Sequence, residues 1–190
     1  MPDTPVTNVN STDNVAAAKG KVSGYVYSAT ITSTLTIPSD ATTALSSDFV
    51  GLGYISEDGV TMSISEDTDP KRDMNGDVIA TLESNHTETF SFTLEETSAA
   101  VLKEAFGQDN VTVAAGGDIT VKSNSKTKAP RVFVFEFVLS NGKVKRTVVP
   151  KGKLTQLGEL IHRSGDLLDY PVTITGMADA NGDSHIDYIH

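Results

Sequence analysis

Apolar and polar residues alternate along much of this chain, which is the pattern of β-strands with one buried face and one wet face. The clearest stretch runs from residue 78 to residue 94. At about 3.3 Å per residue, such a strand would be roughly 56 Å long, so the pattern predicts a bend near residues 85–86. The apolar face carries Val78, Ala80, Leu82, Phe90, Phe92 and Leu94, and the other face carries Thr81, Glu83, Asn85, Thr87, Thr89, Ser91 and Thr93.

A β-hairpin is predicted around Asn141-Gly142, because this dipeptide favours a tight turn between strands. Residues 132–139 and 143–149 flank the turn. Phe133, Phe135 and Phe137 share one face of the first strand and are expected to anchor the core. The opposite face is also apolar, so we expect it to be covered by a partner subunit or by a second layer of the same domain.

The remaining periodic segments predict further strands and one helix. Residues 25–37, 154–161 and 170–177 alternate with a period of two. Val101, Leu102, Ala105 and Phe106 instead recur at helical spacing. Thr97 or Ser98 can cap the start of this helix, and Gly107 is suited to end it.

Together these elements predict a mainly β (α+β) fold, either an antiparallel β-sandwich or a half-barrel with one flanking α-helix. With 190 residues and 38% hydrophobic residues, the chain is expected to form one domain. We expect a flexible arm over residues 1–20 and a single domain over residues 21–190, with a long loop within about residues 41–76. The predicted core residues are Phe90, Phe92, Val101, Leu102, Phe106, Phe133, Phe135 and Phe137.

The composition excludes or disfavours several classes of function. The net charge is −10, with the acidic residues spread along the chain, which disfavours tight binding to nucleic acid phosphates. There is no cysteine, so disulfides, thiolate metal sites and cysteine nucleophiles are excluded. The first residues lack the basic and apolar regions of a signal peptide, and no apolar run approaches the roughly 20 residues of a membrane span, so we expect no membrane partner.

Catalytic and nucleotide-binding motifs are absent from the sequence, so we predict no enzyme, no catalytic residue and no cofactor. One metal-like pattern occurs twice, at residues 73–77 (DMNGD) and 179–183 (DANGD). Calcium loops also require Gly at position 6 and Glu at position 12, where the second pattern has Ser184 and His190. Tight Asn-Gly turns explain both patterns better, so we predict no metal site, and Asp179, Asn181 and Asp183 remain weak candidates only.

Several short blocks resemble the major tail tube proteins of siphophages, which are phages with long non-contractile tails. The similarity runs from about residue 22 to residue 188 and keeps the blocks in the same order. The blocks are residues 38–45 (PSDATTAL), 52–59 (LGYISEDG), 89–96 (TFSFTLEE) with 101–103 (VLK), 150–153 (PKGK), 170–175 (YPVTIT) and 179–182 (DANG).

This resemblance implies a structural virion subunit that assembles as hexameric rings, stacked head to tail into a tube. DNA would pass through the tube without specific binding, and an acidic or neutral lining would repel its phosphates. The resemblance also implies a tape measure protein and a tail chaperone as partners, with assembly in the host cytoplasm and a final place in the virion tail. The polar face of residues 78–94 is the candidate lining, with Glu83, Thr87, Thr81 and Thr89 as lumen-facing residues.

Three alternatives stay open from the sequence. A secretion tube of the type VI kind would share the fold and the ring. A calcium- or carbohydrate-binding β-module would use the Asp-rich turns. Within the tube interpretation, the polar face of residues 78–94 could also be the outer surface of the tube.

Overall fold

The computed structural model describes residues 11–22 and 24–190. One α-helix, α1 (Ala99–Phe106), and 11 strands form the described part of the chain, and every strand pairing is antiparallel. The predicted mainly β fold with one α-helix is therefore confirmed. The strands are β1 (Ala18–Gly20), β2 (Val26–Thr30), β3 (Val50–Gly51), β4 (Ile55–Arg72), β5 (Val78–Leu94), β6 (Val111–Val113), β7 (Ile119–Val121), β8 (Arg131–Leu139), β9 (Val144–Leu157), β10 (Tyr170–Gly176) and β11 (Ile186–Ile189).

Nine of these strands form one sheet with the order β3-β2-β8-β9-β10-β5-β4, in which β1 also pairs with β8 and β11 with β9. Strands β6 and β7 form a separate small hairpin. The predicted turn at Asn141-Gly142 joins β8 to β9, and Gly142 has the positive φ of 85° that glycine accepts without strain. Strand β4 is at one edge of the large sheet, so its outer backbone groups have no partner strand within the described chain.

The main core lies between one face of this sheet and α1. The Phe135 ring stacks on Phe90 and meets Phe92 edge to face, each at a centroid distance of 5.5 Å. Such ring pairs add to the stability gained from burying the apolar surface. Of the predicted core residues, Phe90, Phe92, Val101, Leu102, Phe133 and Phe135 are buried, and Phe106 and Phe137 pack half-buried against the same cluster.

Helix α1 begins and ends as its sequence predicts. The Ser98 hydroxyl accepts a hydrogen bond from the Val101 amide at 3.4 Å, which satisfies one of the free amides of the first turn. Gly107 follows the last helical residue with φ 105° and ψ 143°, a conformation that is essentially restricted to glycine. Both ends therefore place the apolar stripe of α1 against the sheet.

A second apolar cluster lies on the other face of β2, β8 and β9. Residues 31–49 and strand β11 cover it, so the apolar second face of β8 faces another layer of the same domain. In the covering segment, the Asp40 carboxylate accepts hydrogen bonds from the Thr43 hydroxyl and from the Thr43 and Thr42 amides, which hold its pKa well below the usual range. The cluster contains Ala29, Phe49, Val132, Val134 and Val148, with Tyr27, Leu35, Leu45 and Tyr188 against it.

A buried ion pair crosses the β8–β9 hairpin on this second face. The Arg146 guanidinium, 2% exposed, donates two hydrogen bonds to Oε1 of Glu136, and its third nitrogen donates to the Asp40 carbonyl at 2.7 Å. Lys21 Nζ binds the other Glu136 oxygen at 2.7 Å. Because every charge in this group has a partner, the pair can be buried without a free ion.

A second buried pair joins α1 to the sheet. Arg131 Nε lies 3.0 Å from Glu104 Oε1, and Ser28 donates to Glu104 Oε2 at 2.9 Å. Burial raises the pKa of Glu104, and the nearby Arg131 charge partly opposes that rise. The helix is therefore attached to β2 and β8 by polar contacts as well as by its apolar stripe.

Four sequence-based boundaries differ from the structure. Strand β2 ends at Thr30 rather than near residue 37, and β9 runs through Pro150 where two separate strands were predicted. Strand β4 occupies residues 55–72 of the predicted long loop, and the irregular segment lies earlier, over residues 31–49. The predicted arm lies outside the described residues up to residue 10, and residues 18–20 of it pair with β8.

The prediction missed the outer half of β4 because that half carries no apolar alternation. Residues 61–72 are all exposed, so neither face of this part of the strand has to be apolar. Its order comes from the backbone pairing with β5, which a pattern of side chains does not record.

Candidate functional site

The paired outer parts of β4 and β5, residues 61–87, form a two-stranded ribbon that extends beyond the core. Every residue of this ribbon except half-buried Asp73 is exposed. A two-stranded hairpin by itself is at best marginally stable in water, so a neighbouring surface would stabilise it. Its exposed apolar side chains are Met62, Ile64, Met74, Val78, Ile79 and Leu82, with Met74 fully exposed and Ile79 at 69%.

The charges of the ribbon are mostly negative. It contains six acidic and two basic residues, a net charge of −4. Of the two cations, Lys71 pairs with Asp69, and Arg72 donates to the Gly76 carbonyl at 2.8 Å across the turn. Charges and Pro70 on the outer edge of β4 are features that discourage indiscriminate strand pairing. The ribbon is thus suited to a specific contact and poorly suited to random aggregation.

In the middle of the ribbon, strand β5 contains an extra residue, Ser84, that has no partner in β4. Asp67 pairs with Asn85, and the next residue, Thr68, pairs with Glu83. The Ser84 hydroxyl donates to the Asp67 carbonyl at 3.2 Å. Directly paired residues share a face of the sheet, and β4 keeps its alternation here. The β-bulge therefore exchanges the two faces of β5 on the side of Ser84 that leads to the turn. The bulge lies next to residues 85–86, where the alternation predicted a bend, but the strand continues through those residues.

The bulge separates the four candidate lumen residues into two pairs. Thr87 and Thr89 lie on one face, and Thr81 and Glu83 lie on the face that continues from Phe90. The sequence-based prediction that all four share a face is therefore wrong. An inserted residue is invisible in the alternation, because the residues on both sides of it are polar and exposed. The apolar face predicted for residues 78–82 is likewise exposed rather than buried.

Thr87 and Thr89 belong to a continuous surface of hydroxyl groups, which we call the hydroxyl face. Ser91 and Thr173 hydroxyls lie 2.9 Å apart, and Thr155 and Thr175 hydroxyls 3.0 Å apart. None of these residues is buried, so the face has no second layer in the subunit. Lys153 pairs with Thr175 and lies at its β9 margin. The hydroxyl face consists of Thr61, Ser63, Ser65, Thr87, Thr89, Ser91, Thr93, Thr155, Thr173 and Thr175.

The two Asp-rich patterns form matching turns. Asp179 Oδ1 accepts the amides of Asn181 at 2.7 Å and Asp183 at 3.0 Å, and Asp73 accepts the corresponding amides of Asn75 and Asp77. The hydrogen bond from the Asp183 amide, followed by that from Asn181, lowers the pKa of Asp179. The turns account for the repeated motif, and within residues 11–22 and 24–190 no group of three His, Asp or Glu side chains is arranged to hold a metal ion.

Sequence reasoning missed a cluster at the base of the ribbon. Glu66, His86, Glu88 and His185 form a hydrogen-bonded row there. The pairing of β4 with β5, which only the structure shows, places Glu66 opposite His86. Residues 66–72 are polar throughout, so the sequence predicts no strand there that could pair Glu66 with His86.

The described residues contain little helix. Among the described residues, no helix has the length and apolar character that a bilayer crossing requires.

The chain was compared with curated sequences, solved structures and protein families. A search of curated protein sequences found no significant match. Among solved structures, the chain is similar to the anti-feeding prophage cap (AFP tube terminating cap) determined by cryo-EM, with a TM-score of 0.44 and 14% identity over 84% of this chain and 95% of that chain. A family model described as phage tail tube protein matches residues 9–190. Since this match spans nearly the whole sequence, the chain belongs to the phage tail tube protein family.

Proposed function

We propose that this protein is the major tail tube subunit of a siphophage, polymerising as stacked hexameric rings through which DNA passes during ejection. Family membership supports a structural role in the virion tail without catalysis. The observation that carries self-assembly is the ribbon of residues 61–87, which leaves its apolar side chains exposed in the single subunit. Assembly in the host cytoplasm, with a tape measure protein and a tail chaperone as partners, completes the proposal.

In this proposal the ribbon contacts a second copy of the same chain. Exposed apolar side chains such as Ile79 and Leu82 gain about 25 cal/mol for each Å² of apolar surface that the neighbour covers. The acidic groups around them would select a complementary, less acidic surface on that neighbour.

Shortening the ribbon tests this contact. Asp67 and Asn85 are directly paired, so residues 68–84 can be replaced by Asn-Gly, which makes a two-residue hairpin turn. We expect the thermal unfolding midpoint of the subunit to stay within a few degrees of wild type, because the removed residues are almost all exposed. Tube formation, measured by negative-stain electron microscopy, should be abolished.

Normal tubes of wild-type diameter from this variant would contradict the proposed contact. As a milder second variant, Ile79→Thr with Leu82→Thr keeps the length of the ribbon and removes two apolar contacts. It should raise the protein concentration needed for tube formation without changing the circular dichroism of the subunit.

We further propose that the hydroxyl face lines the bore. The hydroxyl residues are neutral and polar and offer DNA phosphates few binding groups, with Lys153 as a cation at the β9 margin. Thr87 and Thr89 remain lumen residues in this proposal, whereas Thr81 and Glu83 lie on the other face of the ribbon. Six subunits of charge −10 would carry −60 per ring, which adds a repulsive field around the lining.

New cations on the hydroxyl face should slow DNA passage. Thr89→Lys with Thr173→Lys adds two positive charges per subunit on adjacent strands, in side chains that would point into the water-filled bore. We expect tubes to form, ejection to slow several-fold at low salt, and the defect to weaken as salt rises, because screening reduces phosphate binding. The measurements are tube yield and the rate of DNA ejection from assembled virions.

A matched control places the same charges elsewhere. Ser125 and Thr127 are exposed in the segment between β7 and β8, away from the hydroxyl face. Ser125→Lys with Thr127→Lys should leave ejection unchanged. Wild-type ejection by the Thr89/Thr173 variant at every salt concentration would place the hydroxyl face outside the bore, and loss of tubes would place it in a subunit contact.

A further inference from the structure

Four ionisable side chains form a continuous row where the ribbon joins the domain. His86 Nδ1 lies 3.1 Å from Glu66 Oε1, and His86 Nε2 lies 2.6 Å from Glu88 Oε1. His185 Nδ1 lies 2.5 Å from the second Glu88 oxygen. We call Glu66, His86, Glu88 and His185 the histidine–carboxylate row. It connects β4, β5 and the loop before β11.

This row stands at the boundary between exposed ribbon and buried core. Glu88 is the first buried residue of β5 after the ribbon, at 5% exposed. On its core side, His185 packs edge to face on Phe90 at a centroid distance of 5.9 Å. The loop of His185 approaches β10 closely at Gly176, where a Cβ would lie 3.1 Å from the Ser184 carbonyl oxygen. The inner end of the row is therefore fixed to the core, and its outer end is on the ribbon.

The two contacts of His86 match a ring that carries a proton on each nitrogen. An ionised carboxylate only accepts hydrogen bonds, and both His86 nitrogens face carboxylate oxygens. The imidazolium form satisfies both contacts, whereas the neutral ring can donate to only one of them. His185 differs, because a neutral ring with its proton on Nδ1 can donate to Glu88.

We propose that protonation of His86 fixes the base of the ribbon to the domain, and that loss of this proton frees the ribbon to move about its base. The groups facing His86 are Glu66 from β4, Glu88 and the more distant Glu83 from β5, and His185 beyond Glu88. Three of these four are acidic, so the surroundings favour the cation. The inference concerns the single subunit and holds whether or not the ribbon is the contact between copies.

The direction of the pH effect follows from the same contacts. Hydrogen bonds to Glu88 and then to Glu66 raise the pKa of His86 above its usual value. A group whose pKa is raised in the folded state stabilises that state fully at pH values below its unfolded pKa, which is about 6.5 for histidine. This stabilisation is lost as the pH rises through the folded-state pKa. The base of the ribbon should therefore be most ordered in mildly acidic solution and loosen towards alkaline pH.

Hydrogen exchange on the free, full-length subunit tests the inference. The readout is the protection of amides in residues 62–68 and 82–87, each corrected for its intrinsic exchange rate, at about pH 6 and about pH 9. We expect protection to fall about two- to fivefold between these conditions in the wild type, the range expected for exposed ion pairs. His86→Gln should show the lower protection at both pH values.

Two controls separate this effect from a general one. His162 is exposed and away from the row, so His162→Gln should keep the wild-type pH dependence. Glu88→Gln keeps the shape of the side chain and removes its charge, so it should lose the pH dependence as His86→Gln does. Unchanged pH dependence in His86→Gln would overturn the inference. A fall in wild-type protection on adding EDTA at about pH 6 would also overturn it, because a metal ion rather than a proton would then hold the row.

Discussion

Phe135→Ala is expected to lower the free energy of unfolding of the subunit by about 3–5 kcal/mol. Phe135 is fully buried and contacts both Phe90 and Phe92, so its removal leaves a cavity that two neighbouring strands cannot fill without moving. A loss of this size is a large part of the roughly 5–15 kcal/mol that stabilises a typical domain. Denaturant unfolding of the isolated subunit measures it.

Phe137 provides a matched control on the same face of the same strand. It is only half-buried, at the end of β8, and packs against the margin of the core cluster. Phe137→Ala should lower the free energy of unfolding clearly less than Phe135→Ala. The Phe137 side chain buries less apolar surface, and water can enter the space that it leaves. Equal losses in the two variants would show that the aromatic stack around Phe135 is not the centre of the core.

Arg146→Met is the second variant with a large expected effect, a loss of about 3–5 kcal/mol. The substitution leaves Glu136 buried at 5% exposed, with only the partly exposed Lys21 as a charged partner. It also removes the hydrogen bond to the Asp40 carbonyl that attaches the covering segment of residues 31–49 to β9. Thermal and denaturant unfolding should both report the loss.

The double variant Arg146→Met with Glu136→Gln should recover part of this stability, because the buried charge that lost its partner is gone. Lys145 is the matched control: it is next to Arg146, and its ion pair with Asp187 is partly exposed. Lys145→Met should cost less than about 1 kcal/mol. If Lys145→Met and Arg146→Met are equally destabilising, burial of the Arg146 charge is not the cause.

The Glu136–Arg146 pair shows that a correctly predicted turn can still leave the strand register open. The turn at Asn141-Gly142 was evident from the sequence, but the loop has three residues, 140–142, between the paired residues Leu139 and Lys143. A two-residue Asn-Gly loop would place Glu136 opposite Thr147, whereas its partner in the structure is Arg146. Alternation therefore predicts which face carries Glu136, and the loop length decides which residue it pairs with.

The faces of β5 show the opposite case. Strict alternation over residues 88–94 correctly separates the aromatic face from the threonine face, because one side of this part is buried. In residues 78–87 neither face of β5 is buried, so the alternation of residue types no longer indicates which way a side chain points. The bulge at Ser84 then exchanges the two faces. The prediction that Thr81 and Glu83 share a face with Thr87 and Thr89 was wrong for this reason.

By itself, the sequence determined the mainly β fold, the single capped helix, the Asn-Gly hairpin and most of the aromatic core. Each depends on burial of an apolar face or on local turn chemistry, and both leave a periodic or short-range signal in the chain. Only the tertiary structure decided that β4 is a strand, that residues 31–49 cover the second face of β8, and that Glu66, His86, Glu88 and His185 meet. These features arise from pairing between segments far apart in the chain, where backbone hydrogen bonds and charge contacts leave no periodic pattern.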